Sequence, residues 1–206
     1  ADLVARPLGL DFHIGLPADR HDRVAYLRDA PPVENPILAA YLAQFHPGSF
    51  SGRAHFVGHG GLTQMADLFN REQMWAAEFP SGGGIGSARA IATMYDALAN
   101  GGTRDGMRLV SEESVARHAA ETRSGPDLVL LFDTRYGLGY QLPTPLADFG
   151  PSPAAFGHGG LGGSVGFADP AHRVAVGYVA NQMAFPGPGE VTRATALVNA
   201  LYECLA

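Results

Sequence analysis

The sequence predicts an α+β fold in which helices come first, antiparallel strands follow and one helix closes the chain. Up to about residue 125, apolar residues recur at spacings of three and four, as on one face of a helix. Beyond that point they alternate, as in half-buried strands, and the last segment returns to the helical spacing. Helices and strands that are segregated along a chain are typical of α+β proteins.

The composition restricts the partners and the chemistry that the chain can provide. Of its 206 residues 46% are apolar and 17% are charged, which is typical of a globular domain with an ordinary core. The net charge of −6 argues against nucleic acid as a partner, and no stretch approaches the roughly 20 consecutive apolar residues of a membrane segment. All 14 basic residues are arginine, so this chain cannot supply a step that requires lysine.

The helical part is expected to consist of short helices between irregular segments. Repeated prolines in residues 7–35 block helix continuation, whereas residues 35–44 and 62–78 have helical spacing. Ser87 is a good N-cap for the helix that follows it, and the glycine pair 101–102 is suited to end that helix. A further helix is predicted at residues 111–122.

The second part predicts strands at residues 128–132, 136–142, 164–168 and 173–181. The last two form a hairpin, because Pro170 occupies the second position of the turn 169–172, where its fixed φ suits a type I turn. Residues 189–205 predict an amphipathic helix. Its expected apolar face consists of Ala194, Leu197, Val198, Leu201 and Leu205, with the lone Cys204 as a core residue beside it.

Two glycine motifs match known patterns only formally. Residues 162–166 read G-x-S-x-G, but the nucleophile elbow of α/β-hydrolases needs a strand before the serine and a helix after it, and here a strand follows Ser164. Residues 157–162 read G-x-G-x-x-G, but a dinucleotide site also needs a helix at that point. We therefore reject both interpretations, and no cofactor is expected.

His55 and His59 stand four residues apart, a spacing that is seen in zinc sites. Phe56 occupies the place of the glutamate base of H-E-x-x-H, so a surface or lid histidine pair is the favoured interpretation and no metal is expected. A metal-dependent hydrolase using both histidines remains an alternative hypothesis.

The glycines after His158 point to a binding site. The run of small residues that opens the next strand would let a ligand approach the backbone N–H groups of Gly160, Leu161 and Gly162. Such donors at a sheet edge can stabilise an oxyanion, although a tight connection would have the same sequence.

Three segments resemble the serine β-lactamase-like family, in its class C-related and family VIII carboxylesterase branch: residues 7–17, residues 83–89, and residues 156–170 with their continuation at 177–181. The third motif of that family is Lys-Thr-Gly or His-x-Gly, and His158-Gly159-Gly160 matches the second form. The resemblance implies that His158 acts as a catalytic group facing the nucleophile's pocket. It also implies that Gly159, Gly160 and Leu161 bind substrate, with the N–H of Leu161 supplying half of the oxyanion hole.

The nucleophile of the family is absent, because Ser-x-x-Lys cannot occur in a chain without lysine. The resemblance therefore implies that residues 1–206 are the C-terminal portion of one β-lactamase-like domain, with residues 1–125 mainly helical and residues 126–206 forming the strands and closing helix. The expected partners are the N-terminal half of that domain and a small-molecule ester or amide. We expect the chain alone to be inactive.

Two functions follow from the resemblance. The protein would be a serine hydrolase that forms an acyl-enzyme on esters or β-lactam-like amides, or a non-catalytic binding module that kept the scaffold and lost the nucleophile. The first residues lack the pattern of a signal peptide, and a single cysteine cannot form a disulfide within the chain. These two observations favour the cytoplasm.

Overall fold

The computed structural model describes residues 2–55, 65–185 and 191–205. Its first part contains β1 (Phe12–Ile14), a 3-10 helix (Ala18–Arg23), α1 (Pro36–Leu42), α2 (Phe50–Ala54), α3 (Ala66–Phe69), α4 (Glu72–Ala76), β2 (Gly84–Gly86), α5 (Ala88–Ala99), β3 (Thr103–Arg104), β4 (Met107–Arg108) and α6 (Glu112–Ala119). Its second part contains β5 (Arg123–Pro126), β6 (Asp133–Tyr136), β7 (Phe156–Gly159), β8 (Val165–Asp169), β9 (Val174–Tyr178) and α7 (Arg193–Leu205). The predicted α+β class and the closing helix are confirmed, whereas the four short strands of the first part are not predicted by the apolar spacing.

Local capping determines where the central helices begin and end. The Ser87 hydroxyl accepts a hydrogen bond from the Ala90 N–H at 3.1 Å, and Ser111 caps α6 in the same way. Gly101 and Gly102 have φ of 69° and 84°, so they end α5 in the left-handed conformation that the sequence predicts.

The helical segment predicted at 62–78 is divided, in its described part, into the two short helices α3 and α4. Asn70 ends α3, and its side chain accepts from the Leu27 N–H at 2.8 Å and donates to the Leu27 carbonyl at 2.7 Å. This long-range pairing fixes Asn70 at a bend between the helices, and no local spacing could reveal it. Residues 62–64 lie outside the described residues.

The antiparallel sheet β7-β8-β9 lies between α5 and α7. Ala168 packs on the side of α5, and its neighbour Phe167 packs against α7, as alternation along a strand requires. Gly177 lets β9 lie directly against α5, because a Cβ there would clash with the backbone of Ala88. The predicted hairpin is confirmed by the pairing of Asp169 with Val174 at its closed end.

The predicted strand at 128–132 is a turn. The strands on either side of it, β5 and β6, pair with each other in antiparallel register. The Asp127 carboxylate accepts from the N–H groups of Val129 at 2.8 Å and Leu130 at 2.9 Å, and Leu131 has a φ of 63°. This side-chain bonding to the backbone outweighs the β-propensity of the apolar residues.

The predicted strand at 136–142 forms only at its ends. β6 ends at Tyr136, and Gly139, with a φ of 92°, lies in a bend. The chain returns to the sheet at Gln141, which bridges to both Tyr136 and Gly157.

The closing helix begins at Arg193, and residues 186–190 lie outside the described residues. Its buried face is formed by Ala194, Val198 and Tyr202. Leu197 is 60% exposed, Leu205 is 49% exposed and Cys204 is exposed, so the predicted apolar face is displaced and Cys204 is not a core residue. The displacement arises because the Tyr202 hydroxyl reaches a buried acceptor, which a count of apolar residues does not consider.

That acceptor is Asp169, at the closed end of the β8–β9 hairpin, and it is 0% exposed. One carboxylate oxygen accepts from the Ser152 hydroxyl at 2.8 Å and the Ala171 N–H at 3.0 Å, and the other from the Tyr202 hydroxyl and His172 Nδ1, both at 2.6 Å. Burial raises the pKa of Asp169, but these hydrogen bonds outweigh it and leave the pKa below its usual value.

We expect Asp169→Asn to lower the free energy of unfolding by about 2–4 kcal/mol at pH 7, because an amide cannot accept all four hydrogen bonds. The native pKa lies below the unfolded value of 3.8, so the carboxylate stabilises the fold above that pH and the stabilisation is lost as the pH falls through the native pKa. Urea unfolding at pH 7 and below pH 4 measures both effects.

The matched control is Asp133→Asn, which changes an exposed carboxylate and should shift stability by less than about 0.5 kcal/mol. A gap between wild type and Asp169→Asn that stays constant from pH 7 into acid would contradict the assignment of a lowered pKa.

Candidate active site

His158 is exposed and lies near the end of β7, opposite Gly166 of β8. Its Nδ1 is 2.6 Å from the Gly159 carbonyl oxygen. Because a carbonyl can only accept, Nδ1 bears the proton, and the neutral ring leaves Nε2 as an acceptor. The lone pair on Nε2 of this tautomer can accept a hydrogen bond or a proton.

A tight turn follows His158 and links β7 to β8. The Gly160 N–H donates to the Ser164 carbonyl at 2.7 Å, and the Gly163 N–H donates to the Gly160 carbonyl at 3.0 Å. The Gly159 N–H donates to Oε1 of Gln141 at 2.8 Å. The expectation that a ligand reaches the N–H of Gly160 is therefore corrected, because that group is already engaged within the turn.

Leu161 lies at the tip of this turn, and within the described part of the chain its N–H donates to no acceptor, as is also true of the Gly162 N–H. The Leu161 side chain is 47% exposed. An unengaged N–H at an exposed turn is available to a developing oxyanion. The structure thus brings His158 and the Leu161 N–H together at one end of the sheet.

Backbone contacts with distant segments support the underside of the turn. The Ala184 N–H donates to the Gly162 carbonyl at 2.9 Å, and a Cβ at Gly162 would lie 2.9 Å from the Met183 side chain. The segment 181–184 is itself paired with Arg28, whose N–H donates to Asn181 at 2.7 Å and whose carbonyl accepts from Met183 at 3.0 Å. The turn is therefore held by the first part of the chain as well as by the sheet.

Two further polar side chains lie beside His158, and the motif search missed both. The Tyr136 ring centroid is 6.5 Å from that of His158. Gln141 pairs with Gly157 by backbone hydrogen bonds of 2.8 and 3.0 Å, so its side chain lies beside the end of β7. Both residues fall within the predicted strand 136–142, but nothing in the local sequence indicates their neighbours.

An ion pair supports the strand that ends at Tyr136. The Arg135 guanidinium lies 2.8 Å from the Glu121 carboxylate. Hydrogen bonds from the Ser124 hydroxyl and from Arg135 hold the pKa of Glu121 below its usual value. Glu121 therefore remains ionised through the neutral range and ties β6 to the residues that precede β5.

Both rejected glycine motifs lie in β7, β8 and the turn between these strands, as the sequence predicts. Ser164 immediately precedes β8, and no helix begins after either motif within the described residues up to 185. His55 Nδ1 donates to the Ser51 carbonyl at 2.8 Å, because a carbonyl oxygen can only accept, and the His55 ring packs edge-on against Phe45. His59 lies outside the described residues, so the predicted pair is seen only in part.

Among the residues that the structure describes, no three histidine, cysteine or acidic side chains converge as a metal site would require. Across the same ranges, none of the helices is both long and apolar enough to span a membrane.

Comparison with known proteins gives consistent matches. Over 187 residues the chain is 35% identical to the esterase/beta-lactamase LipL of Mycobacterium tuberculosis (strain ATCC 25618 / H37Rv), covering 89% of this chain and 42% of that protein. The structure of a family VIII carboxylesterase matches with a TM-score of 0.78 at 36% identity, over 98% of this chain and 50% of that one. A penicillin-binding protein homologue from Caulobacter crescentus matches with a TM-score of 0.75 at 33% identity, over 97% and 50%.

The chain thus spans about half the length of the relatives that it matches. Their structures share its arrangement of helices, antiparallel sheet and closing helix, which is the β-lactamase/transpeptidase-like fold. The sequence profile of the Beta-lactamase family matches residues 1–200, and the chain belongs to that family.

Proposed function

We propose that the protein containing this chain is a serine hydrolase that forms an acyl-enzyme on esters or β-lactam-like amides. The observation that supports this most is that the exposed His158 ring and the Leu161 N–H, which has no acceptor among the described residues, lie at the same end of one sheet. The names of its relatives include a carboxylesterase and an esterase/beta-lactamase, which agrees with such substrates.

In this proposal the third motif acts on the carbonyl group of the substrate. The Leu161 N–H donates to the carbonyl oxygen as negative charge develops there, and the supported turn keeps that donor in place. Nε2 of His158 accepts a proton or hydrogen bond from the substrate or from the groups that activate the nucleophile. The serine and lysine of Ser-x-x-Lys come from outside residues 1–206.

The same proposal makes residues 1–206 the C-terminal portion of one domain, with its N-terminal half as the partner. The described sheet ends at β9, whose outer edge has no strand beside it within the described ranges. Val179, which follows β9, is 40% exposed, and Leu197 on α7 is 60% exposed. An open sheet edge is suited to pairing with further strands, and exposed apolar side chains are suited to burial against them.

The first test is labelling with a fluorophosphonate. We expect purified residues 1–206 to remain unlabelled and to leave p-nitrophenyl acetate intact, since nucleophile and base are both missing. The intact protein should be labelled at the serine of a Ser-x-x-Lys sequence. Labelling at Ser164 would contradict this proposal, whereas an intact protein without any reactive serine would favour the binding-module alternative.

The second test is His158→Ala in the intact protein. We expect kcat/KM for a short-chain ester to fall about 10- to 1000-fold, equivalent to roughly 1.4–4 kcal/mol, because the pocket loses its proton acceptor. Steady-state kinetics and thermal melts measure activity and folding separately.

The matched control is His118→Ala, which removes an exposed histidine on α6 whose Nδ1 bonds only within its own helix. It should change kcat/KM by less than about twofold. Equal losses in the two variants would refute the role assigned to His158. Loss in His55→Ala or His59→Ala alone, together with bound metal, would favour the metal-dependent alternative.

A further inference from the structure

Gln141 connects the third motif to Tyr136 through both ends of its side-chain amide. Oε1 accepts from the Gly159 N–H at 2.8 Å, and Nε2 lies 3.2 Å from the Tyr136 hydroxyl oxygen. The Gln141 backbone is paired with Gly157, two residues before Gly159 on the same strand. The Gln141 side chain therefore adds a hydrogen bond to Gly159, which the Gln141 backbone does not reach.

The chemistry of the partners fixes the orientation of this amide. A backbone N–H can only donate, so Oε1 must face Gly159 and Nε2 must donate to Tyr136. The Tyr136 oxygen thus accepts a hydrogen bond from Gln141, and its own proton points away from Gln141. The centroid of the neighbouring His158 ring is 6.5 Å from that of the Tyr136 ring, so both rings lie beside the third motif.

The glycines of the turn have no side chains that could contact neighbouring groups and fix the position of the turn. Val165 of β8 lies opposite Gly159 on one side, and on the other side the Gly159 N–H donates to the Gln141 amide, its one acceptor among the residues that the structure describes. Leu161 follows two residues later. A donor that stabilises an oxyanion must be held to within about 0.5 Å of its productive position, so an anchor at Gly159 acts on the position of the Leu161 N–H.

We propose that Gln141 is a positioning residue of this active site: it anchors Gly159, and with it the turn that presents the Leu161 N–H to the carbonyl oxygen of the substrate. The role rests on the proposed hydrolase function. In this role Gln141 does not contact the substrate. Its effect should appear only for substrates whose carbonyl oxygen receives the hydrogen bond.

The test compares an ester with its thionoester in the intact protein, because sulfur accepts hydrogen bonds poorly. Gln141→Leu removes both amide contacts and should lower kcat/KM for p-nitrophenyl butyrate about 10- to 100-fold. The same variant should lower kcat/KM for the thionoester less than about threefold, since little oxyanion stabilisation is available to lose. The control Gln73→Leu changes an exposed glutamine on α4 and should affect neither substrate.

Hydrogen exchange of residues 157–161 provides a readout that does not depend on activity. In Gln141→Leu the Gly159 amide should exchange at least about tenfold faster than in the wild type, while the rest of the sheet keeps its protection. If this variant melts at a lower temperature, Gln141→Met, which keeps the length of the side chain, is used in its place.

The outcomes separate this proposal from the proposed function. A wild-type protein that turns over neither substrate refutes the hydrolase function, and the exchange measurement then decides alone whether Gln141 anchors Gly159. Equal losses for ester and thionoester, or unchanged exchange at Gly159, overturn the positioning role even in an active hydrolase.

Discussion

The buried carboxylate of Asp169 connects several segments in the second half of this chain through hydrogen bonds. Its oxygens receive hydrogen bonds from the hairpin turn, from Ser152 in the loop that precedes β7, and from Tyr202 of the closing helix. A buried charge is tolerated only when its lone pairs are satisfied, so these segments cannot move apart independently. The sheet that presents His158 at one end is thus fixed by electrostatics at the other end.

Elements whose signals are local could be predicted from the sequence. The helix between Ser87 and Gly101 has a side-chain cap and a left-handed terminus of its own, and the β8–β9 hairpin has a turn that proline suits. Prediction failed where polar side chains act over distance or against propensity. Asn70 interrupts a helix through its hydrogen bonds to Leu27. The Asp127 carboxylate accepts a backbone hydrogen bond that holds the apolar residues 128–132 in a turn instead of a strand.

The features of the candidate site likewise fall into those that the local sequence predicts and those that depend on contacts made in the fold. His158 and the Leu161 N–H could be found because the glycines that follow His158 carry no side chains, which leaves the backbone N–H groups open to a ligand. The internal use of the Gly160 N–H depends on how the turn closes, which the motif does not encode. The partnership of Gln141 with Gly159 joins residues 18 positions apart and arises only when β7 is in place.

The support beneath the third motif has a consequence for how the site can diversify. Arg28, Asn181 and Ala184 hold the turn through backbone atoms, so the hydrogen bonds are indifferent to most side chains at these positions. Substitutions at these positions can therefore change the surface of the supporting segments while the backbone hydrogen bonds to the turn stay in place. The support of the turn is in this way separable from the side chains that surround it, and a library randomised at these positions would vary those side chains over an unchanged backbone.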